Sequence, residues 1–156
     1  MTPFLYRTRV SQDWVDYNGH MNDAAYALVF SRACDALMDR IGLDAAARAA
    51  TGQTLYTLQM MLHYFRETKL GAELEVSVRV LEHDEKRLRA WFDMREAGDP
   101  APISSSEQLL LSVSQADGPR AAPWRPETQA ALGALAAAEH GKAWPPQAGQ
   151  GIRLKR

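Results

Sequence analysis

The chain has 156 residues, 46% of them hydrophobic and 24% charged, enough for one domain with a full core and too few for two. Its 18 basic and 19 acidic residues leave a net charge of -1, which excludes a whole-chain attraction to nucleic acid or to an anionic membrane. The opening "MTPFLYRTRV" lacks a continuous apolar segment and no later run has bilayer-spanning length, so a soluble cytoplasmic protein is expected.

Phe4 to Val10 reads as a short first strand. From Ala24 the period changes: Tyr26, Val29, Phe30, Ala33, Leu37 and Ile41 recur at helical spacing against a narrower stripe of Ser31, Arg32, Asp35 and Asp39. Leu28, Ala36 and Met38 widen the apolar side, so this helix is predicted to be enclosed on more than one face. Asn22 or Asp23 suits its N-cap, and Gly42 its C-terminal stop. Cys34, the single cysteine, falls inside that run and reads as a small buried hydrophobe; one cysteine excludes an intrachain disulfide and a four-cysteine zinc site.

Four strand patterns follow. Tyr56, Leu58, Met60, Leu62 and Tyr64 alternate through the first, which ends near Arg66. Leu74, Val76, Val78 and Val80 share one side of the second, and Leu88, Ala90, Phe92 and Met94 one side of the third. The fourth runs from about Ile103 to Gln115. The connections "RETKLGAE", "EHDEKR" and "EAGDPAP" are short, which predicts antiparallel neighbours. Pro126 opens an Ala-rich helix to about Glu139, with Leu132 and Leu135 inward. A domain over 1–140 and a loosely ordered tail over 141–156 are expected. One long helix, apolar on most sides, requires a sheet that curls around it, so the fold class is α+β. Its remaining helix face and sheet edges call for at least a dimer.

The chemistry concentrates in "WVDYNGHMNDAAY", residues 14–26. Asn18 and Gly19 tolerate left-handed backbone and turn the loop, bringing Asp16 to the start of the long helix. There the first amides lack intrahelical partners and the macrodipole favours negative charge. A carbonyl held between those amides and the Asp16 carboxylate would be set up for acyl transfer to water, with His20 and Asn22 orienting carboxylate, water or substrate. The plain alternative is that Asp16 and Asn22 do no more than cap a helix and that His20 is a surface loop residue.

"VDYNGHMNDAAYALVFSRA" resembles the signature of the hotdog-fold acyl-CoA thioesterases, the 4-hydroxybenzoyl-CoA thioesterase-like family, in which D-x-x-G-H-x-N-x-x-x-Y is matched by Asp16, Gly19, His20, Asn22 and Tyr26. The strand-helix-four-strand order is also that of the hotdog fold, an antiparallel sheet wrapped around one central helix. The resemblance implies that Asp16 acts as nucleophile or as base for water. It implies oxyanion donors among the backbone N–H groups of Met21 to Asp23, and an acyl group lodged between subunits of a dimer or tetramer. CoA belongs to substrate and product, so neither a metal nor a redox cofactor is implied.

"YTLQ" at 56–59, "DEKRL" at 84–88 and "EQLLLSV" at 107–113 resemble the subgroup associated with carnitine breakdown, which acts on betainyl-CoA. Gln59, Met61 and Ser112 depart from it, standing where that subgroup has acidic or His residues. Tyr17, Tyr26 and Gln59 are expected substrate contacts, and Trp14, Tyr17, Tyr56 and Trp91 offer aromatic faces for a quaternary ammonium. Arg66 with Lys69, or Lys86 with Arg87 and Arg89, are the two basic groups suited to CoA phosphates; a protected strand edge explains them equally well. Two other readings use the same residues. An enoyl-CoA hydratase or dehydratase would pair Asp16 with His20, and a non-catalytic module would bind acyl-CoA without turnover.

Overall fold

Asn22 starts the long helix as a cap should: its backbone is extended, and its side-chain oxygen accepts the Ala25 N–H at 3.0 Å. The computed structural model, which describes residues 5–154, places this helix, α1, at Asp23–Arg40. It stops at Gly42, whose φ of 84° lets Leu43 N–H reach back to the Met38 carbonyl at 2.8 Å. Val29, Phe30, Ala33 and Leu37 on α1 are fully buried.

The strands are β1 (Tyr6–Arg9), β2 (Gln53–Tyr64), β3 (Glu73–His83), β4 (Arg87–Glu96), β5 (Ser104–Ser114) and β6 (Arg120–Ala121). Phe4, assigned to the first strand from sequence, lies outside the described residues. All pairings are antiparallel, in the order β1-β3-β4-β5-β2, with β6 added to β5. The apolar sides of β3 and β4 meet α1; Phe30 and Phe92 touch edge to face with centroids 6.4 Å apart.

A second helix, α2 (Ala45–Thr51), was not anticipated. Asp44 caps it through the Ala47 N–H and Gly52 ends it with φ 68°. The last helix, α3 (Pro126–Ala137), packs on β3 with Leu132 fully buried, as the pattern predicts. Beyond it, the Ala143 carbonyl accepts from Arg79, Trp144 lies 4.7 Å beneath the Arg89 guanidinium, and the Gly149 N–H donates to Glu107.

Two expectations about β2 need correction. Its register slips at Leu58: Thr57 pairs with Leu110 and Gln59 with Leu109. The extra residue reverses the alternation, so Tyr56 and Met60 point to opposite faces rather than one. Nor is β2 a neighbour of β3, despite the short connection. It pairs with β5 and forms a sheet edge, and residues 65–72 instead cross past the start of α1. That crossing decides what surrounds the helix N-terminus.

Candidate active site

The loop before α1 is a small hairpin. Val15 bridges Met21, the Asp16 N–H donates to the His20 carbonyl at 2.8 Å, and the Gly19 N–H donates back to the Asp16 carbonyl at 3.0 Å. Gly19 carries the left-handed conformation alone, with φ 74°; Asn18 does not share it. Asp16 Oδ1 accepts the backbone N–H of Asn18 at 2.8 Å and of His20 at 3.1 Å. Its Oδ2 has no hydrogen-bond partner among the described residues, and the residue is exposed. Asp16 is therefore held by one oxygen and available through the other.

The crossing segment docks on this hairpin. The Met21 N–H donates to the Thr68 carbonyl at 2.9 Å, His20 bridges Lys69, and the Leu70 N–H donates to the Gly19 carbonyl at 3.0 Å. The Asn22 N–H donates to the Trp14 carbonyl at 2.8 Å. Two of the three amides expected as oxyanion donors, those of Met21 and Asn22, are thereby occupied. Ala24 N–H is taken by the Asp23 side chain and Ala25 N–H by Asn22. Among the described residues, the Asp23 N–H alone of these amides has no partner, one residue past the cap, where the helix dipole is strongest.

Beside that amide lies a cavity of about 340 Å³ lined by Met21, Asp23, Tyr26, Tyr64, Phe65, Arg66 and Glu67. Tyr64 donates its hydroxyl to the Asp23 carbonyl at 3.1 Å, and Tyr26 donates to the Arg66 carbonyl at 3.4 Å. The two rings meet edge to face with centroids 5.2 Å apart. Burial, reinforced by the Glu67 carboxylate among other neighbours, raises the Tyr26 phenol above its ordinary value; burial and then Asp23 do the same for Tyr64. Both rings keep their protons across the physiological range. Tyr64, Phe65 and Glu67 were not singled out from sequence. The signal was present in "HYFRE", where consecutive aromatics break the strand alternation.

Other expected residues fall elsewhere. Tyr17 is at the tip of the hairpin, 96% exposed. His20 Nε2 lies 3.5 Å from Glu67, so its link to Asp16 is through backbone and not imidazole. Arg66 lines the cavity, but its guanidinium binds Asp99 and the Ala101 carbonyl. Gln59 borders a different cavity of about 650 Å³, near the Glu82–Arg89–Glu107 network. Lys86 and Arg87 lie past the far end of β3, on the order of 30 Å of strand from the Lys69 side, and Arg87 is paired with Asp84. Within one chain they are not brought to Asp16. Trp14 is covered by Arg32 at 5.3 Å, Tyr56 is bonded to Gln115, and Trp91 is buried against His63. Cys34 is buried in the core.

A family model described as the thioesterase-like superfamily matches residues 10–132. The chain belongs to that superfamily. It is 46% identical over 149 residues to a betainyl-CoA thioesterase of Pseudomonas aeruginosa, covering 96% of this chain and 93% of that protein. It is 40% identical to an L-carnitine dehydrogenase/betainyl-CoA thioesterase of Agrobacterium fabrum, over 97% of this chain and 31% of that longer protein. Among solved structures, a protein of Pseudomonas putida KT2440 assigned as a thioesterase superposes with a TM-score of 0.86 at 40% identity, covering 100% of this chain and 99% of that one. A Staphylococcus aureus protein solved in complex with CoA has the same fold, with a TM-score of 0.89 at 22% identity over 99% of this chain and 98% of that one. The fold is the hotdog fold, and the reaction class of this superfamily member is thioester hydrolysis, in preference to hydration or binding alone. Among the described residues, no helix is long and apolar enough to cross a membrane.

Proposed function

We propose that this chain hydrolyses a short acyl-CoA, betainyl-CoA being the substrate for which its relatives are named, to CoA and a carboxylic acid. The observation that carries the mechanism is the pairing of two unsatisfied groups at one helix end: the free Oδ2 of Asp16 and the free N–H of Asp23. The thioester oxygen accepts the Asp23 N–H, which stabilises the charge that develops as the carbonyl carbon becomes tetrahedral. Asp16 Oδ2 attacks that carbon itself, giving an acyl-aspartyl anhydride that water then hydrolyses, or takes a proton from the water that attacks directly. Both routes expel CoA as its thiolate, which is then protonated, and need the same two groups. Water and the chain's own side chains suffice, with no metal or redox cofactor.

The enzyme acts as a homo-oligomer, a dimer or a pair of dimers, in the cytoplasm. The reading is supported by β2, an edge strand with unpaired backbone groups and exposed Tyr56, Leu58 and Met60. Pairing of two such edges would bring Gln59, Lys86 and Arg87 of a second copy into consideration for the CoA bound at the first, while Arg66 serves the site of its own chain. The test is thiol release from a panel of acetyl-, benzoyl- and betainyl-CoA, run beside hydration of a 2-enoyl-CoA. Release of thiol with no hydration is expected. Hydration with no thiol release would overturn the proposal.

A further inference from the structure

A betainyl group sets a tight geometric demand. Its quaternary nitrogen is two covalent bonds from the carbonyl carbon, so a cation bound there lies among the side chains next to the oxyanion donor. We propose that Tyr64 and Phe65, backed by Tyr26 and with Glu67 as counter-charge, form the receptor for a trimethylammonium acyl group, and so set substrate choice. The proposal rests on the hydrolase reading above and names the part of that site which selects the acyl chain.

Four observations support it. The cavity that adjoins the Asp23 amide is walled by these rings. A cation needs an aromatic face within about 6 Å, and here much of each ring is accessible: Tyr64 is 50% exposed and Phe65 41%, although Phe65 also stacks on His63 with centroids 6.3 Å apart. Of the aromatics favoured from sequence, Trp14 is already covered by Arg32 and Trp91 is 1% exposed, while Tyr17 and Tyr56 are exposed but do not line this cavity. Tyr64 is also fixed, by its hydroxyl on the Asp23 carbonyl and its edge contact with Tyr26, so little ordering remains to be done on binding.

The charges agree. Asp23 and Glu67 are the carboxylates on the cavity, and Asp16 lies in the hairpin that leads into the same helix. The one guanidinium on its wall, Arg66, is drawn toward Asp99 at 2.8 Å and the Ala101 carbonyl at 3.1 Å. The Tyr26 phenol is raised chiefly by burial, with the Glu67 and Glu96 carboxylates adding to it. The large outer-face cavity near Arg79 and Arg95 is a poorer candidate: those cations already bind Glu139, Ser77 and Asp93, and none of its walls is aromatic.

The experiment compares betainyl-CoA with 3,3-dimethylbutyryl-CoA, in which carbon replaces the quaternary nitrogen at nearly unchanged shape. Wild-type enzyme should favour the cationic ester in kcat/KM by at least about tenfold. Phe65→Leu and Glu67→Gln should each lower that ratio by several-fold to about tenfold, with the fold confirmed by circular dichroism. Tyr64→Phe, which keeps the ring and loses the hydroxyl, should slow both esters while leaving the ratio near the wild-type value. Equal kcat/KM for the two esters in wild type, or a ratio untouched by Phe65→Leu and Glu67→Gln, would overturn the receptor. Hydrolysis of other acyl-CoAs with neither of these also overturns it while leaving the hydrolase reading intact; no thiol release from any thioester defeats the reading beneath.

Discussion

Asp16 is fastened to the backbone of His20 at both ends of the residue: its Oδ1 accepts the His20 N–H at 3.1 Å, and its own N–H donates to the His20 carbonyl at 2.8 Å. The carboxylate's aim is thus a property of the turn and not of a free rotamer. The turn depends on Gly19, whose φ of 74° is costly for any residue with a Cβ. An added Cβ would meet nothing within 4 Å, so Gly19→Ala tests backbone strain alone. We expect a loss of about 1–2 kcal/mol, a few degrees in Tm, together with a fall in kcat as Asp16 loses its fixed direction. Melting curves and thiol release on the same preparation check both.

Cys34 sits inside α1 at 8% exposure, where burial, with a further contribution from Asp35, pushes its thiol up to about 12. At pH 8 the thiolate population is negligible and the sulfur is shielded. Native protein should therefore react with a disulfide reagent at a rate limited by unfolding, and release one equivalent promptly in denaturant. Rapid labelling of the folded protein would contradict the packing described for this helix.

The β3–β4 hairpin carries a pH signature. The Arg87 guanidinium, then the Lys86 and Arg87 backbone N–H groups, hold Asp84 at about 2, below its ordinary 3.8. A depressed carboxylate contributes stability that is present above pH 3.8 and lost as pH falls through about 2. The side chain is 39% exposed, so solvent screening keeps the effect small. Asp84→Asn should melt below wild type at pH 6, and the two melting curves should converge as pH falls through that window.

How much of this was legible beforehand follows from which forces are local. The apolar period of α1, its Asn22 cap and the alternation of β3 and β4 are written in short stretches, and each fell where the pattern placed it. The partner of β2 is not local information. Its register depends on one bulged residue, Leu58, and its place at the edge on the curl of the whole sheet. The short Ala-rich α2 carries no apolar face to reveal it. The same division runs through the site. Asp16, Gly19 and Asn22 form one motif and stay together, whereas Tyr64, Phe65 and Glu67 reach the helix end because residues 65–72 cross over it. Charge alone does not tell which end of a strand a hairpin occupies, so a role for Lys86 and Arg87 rests on a second copy of the chain.

The central claim is that one carboxylate oxygen performs the chemistry. Asp16→Asn isolates it, because an amide oxygen can still accept the Asn18 and His20 N–H groups and keep the hairpin in place. The decisive measurement is kcat for thiol release by this variant on the best substrate of the panel, with fold and oligomeric state verified in parallel. The account predicts a loss of about a thousandfold or more in an otherwise intact protein. Turnover within a few-fold of wild type would contradict it.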